Sequence, residues 1–144
     1  MKVLITGGSG FIGTNLCFYL LKAGHDIKSI DINLPKSADL NPVHITCDIM
    51  DVFHLKKVVN DFKPDSIIHL AAETRLLKNS NINDYAVNTI GVQNLIDACK
   101  AYGLVSRIIF ASTKLVCAEN VAHNDEFNYS PHTDYGESKM MGEE

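Results

Sequence analysis

Along the chain, short apolar runs alternate with stretches whose apolar positions recur at helical spacing, the pattern of strands joined through helices. Residues 2–6 read as a first strand. Residues 11–23 read as a helix presenting Ile12, Leu16, Tyr19, Leu20 and Ala23 on one face, with Gly24 placed to stop it. A second strand is expected over 27–31 and a loop over 33–41, where Pro35, Ser37 and Asp39 interrupt the pattern. A third strand follows over 43–47, then a helix over 51–61 capped by Asp51. A fourth strand spans 66–70, a long helix 83–102 with Gly103 just past its end, and a fifth strand 105–111. A loop then runs to about Thr133, where another helix begins.

Strands joined through helices are parallel, with right-handed crossovers. The fold class is therefore α/β: a doubly wound parallel sheet of Rossmann type, with residues 1–144 forming one domain. The long helix carries two apolar stripes, Val87-Gly91-Leu95-Ala98 and Tyr85-Val92-Ile96-Cys99. One stripe suffices to pack a helix on a sheet, so the second implies a further partner, either a neighbouring helix or a second subunit.

Composition narrows the function classes. Apolar residues are 46% of the chain and charged residues 21%, with a net charge of −4, an ordinary globular balance without the basic field that nucleic acid requires. No apolar run has the length of a membrane span or the form of a signal peptide. Cys17, Cys47, Cys99 and Cys117 lie too far apart for a zinc knuckle or a redox pair, and the six histidines have no ligand spacing. Buried free thiols in the cytoplasm are expected, and no metal.

Thr6-Gly7-Gly8-Ser9-Gly10-Phe11-Ile12-Gly13 joins the first strand to the first helix and fits both G-x-G-x-x-G and G-x-x-G-x-x-G. Missing Cβ atoms let the chain turn tightly and bring backbone amides close to a pyrophosphate, which the helix N-terminus then faces. An acid, Asp31, closes the next strand. Its carboxylate can accept from the adenosine ribose hydroxyls and repels a 2′-phosphate, so the expected cofactor is NAD rather than NADP. Asp48, after the third strand, either accepts from the adenine amine or caps the helix that follows.

With these residues in place, the chain resembles the extended short-chain dehydrogenase/reductases, the NAD-dependent epimerase/dehydratase type that acts on nucleotide sugars. The resemblance is carried by Gly7 to Gly13, Asp31, Asp48-Ile49, His69-Leu70-Ala71-Ala72, Asn88 with Gly91 and Asn94, Ser112-Thr113 with Val116, and the run Pro131 to Lys139 containing Tyr135-Gly136-Glu137-Ser138-Lys139. It implies cofactor contacts at Gly7, Gly10, Phe11, Ile12, Gly13, Asp31, Asp48, Ile49, Leu70, Ala71, Ala72, Asn88, Tyr135 and Lys139. It implies catalytic roles for Thr113, Tyr135 and Lys139.

The chemistry of those three residues agrees. Tyr135 and Lys139 are four apart on one helix, so they share a face. A nearby ammonium favours phenolate, so Tyr135 can take a proton from a substrate hydroxyl while hydride leaves the same carbon. Thr113, just past a strand end, can orient the substrate oxygen. His132 reads as solvent-exposed, and Thr74 as a possible substrate contact at the strand edge. Two departures from the family pattern matter. Cys117-Ala118 stand where Tyr-Gly is usual. Lys114-Leu115 follow Thr113 where 4,6-dehydratases carry Asp-Glu. Elimination of water needs an acid and a base there, so 4,6-dehydratase chemistry is not expected, and the missing acid at Leu115 also disfavours the sugar-acid decarboxylases.

What the resemblance leaves is an NAD-dependent nucleotide-sugar epimerase or reductase acting by hydride transfer at a sugar carbinol. Its partner is a nucleotide-sugar substrate in the full-length protein, with no nucleic acid and no membrane. A homodimer through the long helix and the Tyr135 helix is expected. Relatives of this type continue into a smaller substrate domain, so the chain reads as an N-terminal portion, able to bind NAD but not to turn over a sugar efficiently. The alternatives are a non-catalytic NAD-sensing module, in which Tyr135 and Lys139 would have no task, and a flavin-binding domain.

Overall fold

The computed structural model describes residues 1–76, 78–118 and 129–143. Five strands, β1 (Lys2–Thr6), β2 (Asp26–Asp31), β3 (His44–Thr46), β4 (Ser66–His69) and β5 (Arg107–Phe110), form one sheet in the order β3-β2-β1-β4-β5. Every pairing is parallel. This is the expected doubly wound arrangement, with the order reversing beside β1. Val3 pairs with Ile27 on one side and Ser66 on the other, and Thr6 with Ile30 and His69.

The helices are α1 (Phe11–Lys22), α2 (Val52–Phe62), α3 (Ala86–Tyr102) and α4 (Asp134–Met141). The chain divides into two compact units, residues 1–71 with 94–111, and residues 72–93 with 112–144. The first holds the sheet, α1 and α2; the second holds α4 and the 3₁₀ turns Ile82–Tyr85 and Lys114–Val116.

In the first unit, α1 and the 3₁₀ turn Ala38–Val43 cover one sheet face, where Val3, Ile5, Cys17, Leu20, Ile27 and Leu40 form a buried cluster. Strand alternation sends Leu4, Ile30 and Ile67 to the other face, where they are equally buried. On that face α2 leaves a cavity of about 370 Å³ lined by Lys28 and Ile45 of the sheet and by Val58 and Phe62, among other α2 residues.

The rotation of α1 corrects the sequence reading. Its buried positions are Gly13, Cys17 and Leu20, while Ile12 and Tyr19 are 63% and 70% exposed and Ala23 is exposed too. Gly13 sets this rotation: a Cβ there would lie 2.2 Å from the Gly7 carbonyl oxygen, so the helix seats its glycine against the loop. Apolar periodicity alone carries no such steric signal.

Helix ends follow local chemistry. Gly24 is left-handed at φ +77°, and bonds from its N–H to Leu21 O and from His25 N–H to Leu20 O close α1 in a Schellman arrangement. Asp51 caps α2 as expected, accepting from His54 N–H at 3.0 Å. Lys63 stops α2 at φ +58°, with Pro64 next. The long helix begins later than the spacing predicts, because Asn81 and Asp84 form a capping box around the 3₁₀ turn Ile82–Tyr85. Both stripes of α3 are largely buried within the chain: Gly91, Leu95 and Ala98 in one, Tyr85, Val92 and Cys99 in the other. The second stripe therefore does not lie open for another subunit.

Cys17, Cys47 and Cys99 are buried free thiols and Cys117 is half-buried. Burial pushes the Cys47 and Cys99 thiols up to about 11, with Asp51 and Asp48 adding to the rise at Cys47. No helix among the described residues is long and apolar enough to cross a membrane.

Candidate functional site

The first unit carries the glycine loop at the end of its central strand. Gly7 is left-handed at φ +73°, and a Cβ on it would lie 2.6 Å from the amide nitrogen of Ala71. Gly8 is closed off in the same way by the Ser29 side chain, 2.0 Å from where its Cβ would be. The loop is thus pinned between the exits of β2 and β4. Thr6 reinforces the pinning: its Oγ1 accepts from Leu70 N–H at 3.2 Å and Ala71 N–H at 3.1 Å, and lies 2.7 Å from His69 Nδ1.

Beyond the loop, α1 begins without a side-chain cap: Gly10 occupies that position and makes no such bond. The other helices of comparable exposure do not share this, since Asp51 caps α2 and Thr133 caps α4. Helix N-terminal amides left uncapped beside exposed Gly10, Phe11 and Ile12 suit a pyrophosphate. Asp31 ends β2 beside this loop. Its Oδ2 accepts from Ser9 N–H at 3.1 Å and its Oδ1 from Asn33 N–H at 2.9 Å. The carboxylate is therefore fixed in direction, with acceptor capacity left for ribose hydroxyls. These residues fit a dinucleotide.

Asp48 and Ile49 behave differently from each other. Asp48 is exposed and its Oδ1 accepts from Met50 N–H at 2.8 Å, an Asx turn that leads into α2, while Asp51 serves as the cap. Ile49 is 4% exposed and belongs to the core. Its carbonyl accepts from Asn94 Nδ2 at 3.1 Å, which explains Asn94 as a structural match.

The second unit carries the three residues expected to be catalytic. Thr113 caps the turn Lys114–Val116, its Oγ1 accepting from Leu115 N–H at 3.3 Å and its own proton remaining available. Lys114 is exposed and Leu115 half-buried in that turn, so neither supplies the acid and base of a dehydratase. α4 packs directly on the turn: a Cβ on Gly136 would lie 2.3 Å from Leu115 O. Gly136 thus brings the helix carrying Tyr135 against the turn carrying Thr113. The sequence reading missed this role, because a glycine in a helix interior looks like a weak propensity and nothing more.

Tyr135 opens α4, behind the Thr133 cap, which accepts from Gly136 N–H at 3.0 Å. Its ring is half-buried and tilted against the buried Tyr85, with centroids 5.9 Å apart. Tyr85 in turn donates to Arg75 O at 2.8 Å. Ser138, fully buried, donates to Tyr135 O at 2.7 Å and accepts from Asn88 Nδ2 at 2.9 Å. Asn88 also exchanges two bonds with the Glu73 backbone, so its amide is spent inside the protein. Ala72, at the start of that segment, is half-buried. Arg75 beside Glu73 holds its carboxyl down at about 2, and Thr74 is exposed between them.

Lys139 is only 7% exposed, and among the described residues its ammonium makes no hydrogen bond or ion pair. Burial pulls its proton affinity below the ordinary lysine range, and the Glu143 charge partly restores it. His132 is exposed, as expected.

A parallel sheet with reversal beside β1, an uncapped helix behind a pinned glycine loop, and an acid closing β2 define a domain of the dinucleotide-binding Rossmann class. The particular family is settled by comparison: residues 3–144 match the NAD dependent epimerase/dehydratase family, and the chain belongs to it. A GDP-6-deoxy-D-talose 4-dehydrogenase of Aggregatibacter actinomycetemcomitans is 44% identical over 97 residues, covering 67% of this chain and 29% of that protein. A 3 beta-hydroxysteroid dehydrogenase/Delta 5-->4-isomerase of Mycobacterium tuberculosis is 33% identical over 160 aligned residues, covering 99% of this chain and 41% of the relative. The crystal structure of the Bordetella bronchiseptica enzyme WbmG in complex with NAD and UDP superimposes with a TM-score of 0.85 at 30% identity, covering 99% of this chain and 48% of that one. The chain thus spans less than half the length of the relatives it matches. The family's cofactor is NAD.

Proposed function

We propose that this chain is the NAD-binding part of an enzyme that oxidises or epimerises a carbinol of a nucleotide-linked sugar, with Tyr135 as the acid/base. The observation that carries the reading is Lys139: a lysine only 7% exposed, without a hydrogen bond or ion pair among the described residues, one helical turn from a half-buried tyrosine. A lysine this deeply buried is uncommon, because taking its charge out of water is costly. A buried ammonium that favours phenolate is what a tyrosine base requires.

NAD supplies the hydride acceptor and, in the return step of an epimerisation, the hydride donor. The chain's own residues do the rest. The α1 amides and Gly10 hold the pyrophosphate, and Asp31 takes the ribose hydroxyls. Tyr135 accepts the carbinol proton at its phenolic oxygen, Lys139 stabilises the phenolate, and Thr113 donates its remaining hydroxyl proton to orient the substrate oxygen. The exposed Lys114 and the apolar Leu115 leave oxidation and epimerisation, rather than elimination, as the reaction.

A nucleotide sugar is favoured by the GDP-sugar relative and by the neighbour solved with UDP. The steroid dehydrogenase relative makes the substrate carrier a question for experiment. The NAD-loaded full-length protein is mixed with GDP- and UDP-hexoses and, separately, with a 3β-hydroxysteroid, and NADH formation is followed by absorbance. Hydride transfer from the nucleotide sugars that is lost in Tyr135→Phe supports the reading. Undiminished transfer in Tyr135→Phe, or transfer from the steroid alone, overturns it.

Self-association through α3 and α4 is part of the same proposal. These helices keep Ile90 and Met141 exposed at 53% and 48%. Sedimentation at high concentration tests it, and a persistent monomer rejects it.

A further inference from the structure

α4 ends at Met141, and Glu143 follows one residue beyond its glycine C-cap. A carboxylate at this end of a helix faces the negative pole of the aligned peptide dipoles and is disfavoured there. Here it is compensated from three directions. Tyr129 donates its hydroxyl proton to Oε2 at 2.7 Å, and Ser112 donates to Oε1. The third is Lys139, one helical turn back, whose charged form Glu143 favours. Ser112 immediately precedes Thr113, so this one carboxylate touches the segment that carries the threonine and stands four residues on from Lys139.

We propose that Glu143 is a positioning residue for the proton-transfer group. Its carboxylate fixes the Ser112–Thr113 segment against the end of α4 and supplies the counter-charge that keeps Lys139 an ammonium in a buried setting. The inference rests on the reading of Tyr135 and Lys139 as the acid/base pair. It adds a fourth side chain that does no chemistry itself. A purely mechanical tether would be served equally by a neutral acceptor; a counter-charge would not. Among the described residues, the titratable groups in contact with Glu143 or coupled to it are Tyr129 and Lys139.

The test separates charge from tether without requiring turnover. The chain is prepared with carbon-13 at lysine Cε, the Lys139 resonance is assigned from its disappearance in Lys139→Arg, and its pH titration is followed by NMR. In Glu143→Gln, which keeps an acceptor oxygen but not the charge, the Lys139 midpoint falls by about half to one pH unit. In Ser112→Ala, which keeps the charge, the midpoint stays at its parent value. A midpoint unmoved in Glu143→Gln overturns the proposal, whatever Glu143→Ala does. If Glu143→Ala loosens α4, the isosteric Glu143→Gln still decides it. Activity that survives Tyr135→Phe sinks the acid/base reading, which the lysine titration does not measure, so the two failures are distinct.

Discussion

The side-chain amide of Asn88 closes a reciprocal pair of hydrogen bonds with the backbone of Glu73, Nδ2 donating to its carbonyl at 2.9 Å and Oδ1 accepting from its amide at 2.8 Å. The same Nδ2 reaches Ser138, whose hydroxyl holds the carbonyl of Tyr135. A helix residue thus copies a strand-like pairing and anchors both the 73–75 segment and the first turn of α4.

Asn88→Ala is therefore expected to cost about 2–4 kcal/mol, since it strands buried backbone groups as well as removing bonds. Asn88→Asp is expected to fare little better, because a carboxylate cannot donate to Glu73 O or Ser138 Oγ. Urea denaturation of both variants measures this. A change below about 0.5 kcal/mol in either would show the network to be dispensable.

Much of this architecture is legible in the sequence, and the failures have physical causes. Strand positions follow from apolar runs and agree to within one or two residues. The Gly24 stop and the Asp51 cap follow from local chemistry. The face of α1 was misread because steric contact between Gly13 and Gly7, rather than apolar periodicity, sets the helix rotation. The start of α3 was placed too early because Asn81 and Asp84 favour a 3₁₀ turn that hydropathy does not register. In the site, Asp31, Thr113, Tyr135 and Lys139 are recognisable by type and order. Asn88, Ser138, Gly136 and Tyr85 act through contacts between residues far apart in the chain. A single sequence holds no sign of those pairings.

The glycines offer a graded test. Gly13→Ala places a Cβ 2.2 Å from Gly7 O and 2.7 Å from Gly8 Cα, both backbone, so the loop must move. A loss of roughly 2–3 kcal/mol and a clear fall in NADH affinity are expected. Gly24→Ala meets no atom within 4 Å but must adopt φ +77°. It should cost about 1 kcal/mol and leave affinity intact. Thermal unfolding and NADH fluorescence titration rank the two; equal effects on affinity would contradict the steric account.

In the proposed reading Asp31 governs cofactor choice, through a carboxylate oriented by Ser9 and Asn33. Asp31→Ser removes the charge and the ribose acceptor together. NADH binding is expected to weaken by about tenfold while NADPH binding improves, narrowing the preference. Unchanged discrimination in paired titrations would remove Asp31 from the cofactor site.

The buried thiols set an alkaline limit. In the folded chain Cys47 and Cys99 hold their protons up to about 11. In the unfolded chain they release them near about 8.5. The unfolded state thus binds fewer protons between those values, and stability falls as pH rises through that window. Denaturation midpoints should drop across it, and Cys47→Ala with Cys99→Ala should flatten the drop. At pH 8 only about one in a thousand of these thiols is ionised, so iodoacetamide should spare both in the native chain.

The placement of β1 at the sheet centre bears on how the chain is made. Thr6 finds its β4 partner His69 at a separation of 63 residues. During synthesis this central strand leaves the ribosome before either neighbour and waits, with one edge open, until its far neighbour has been translated. Vectorial assembly of this sheet therefore passes through a β1–β2 pair that cannot be sealed, and the nascent sheet is an apt client for a ribosome-bound chaperone until residue 69 has emerged.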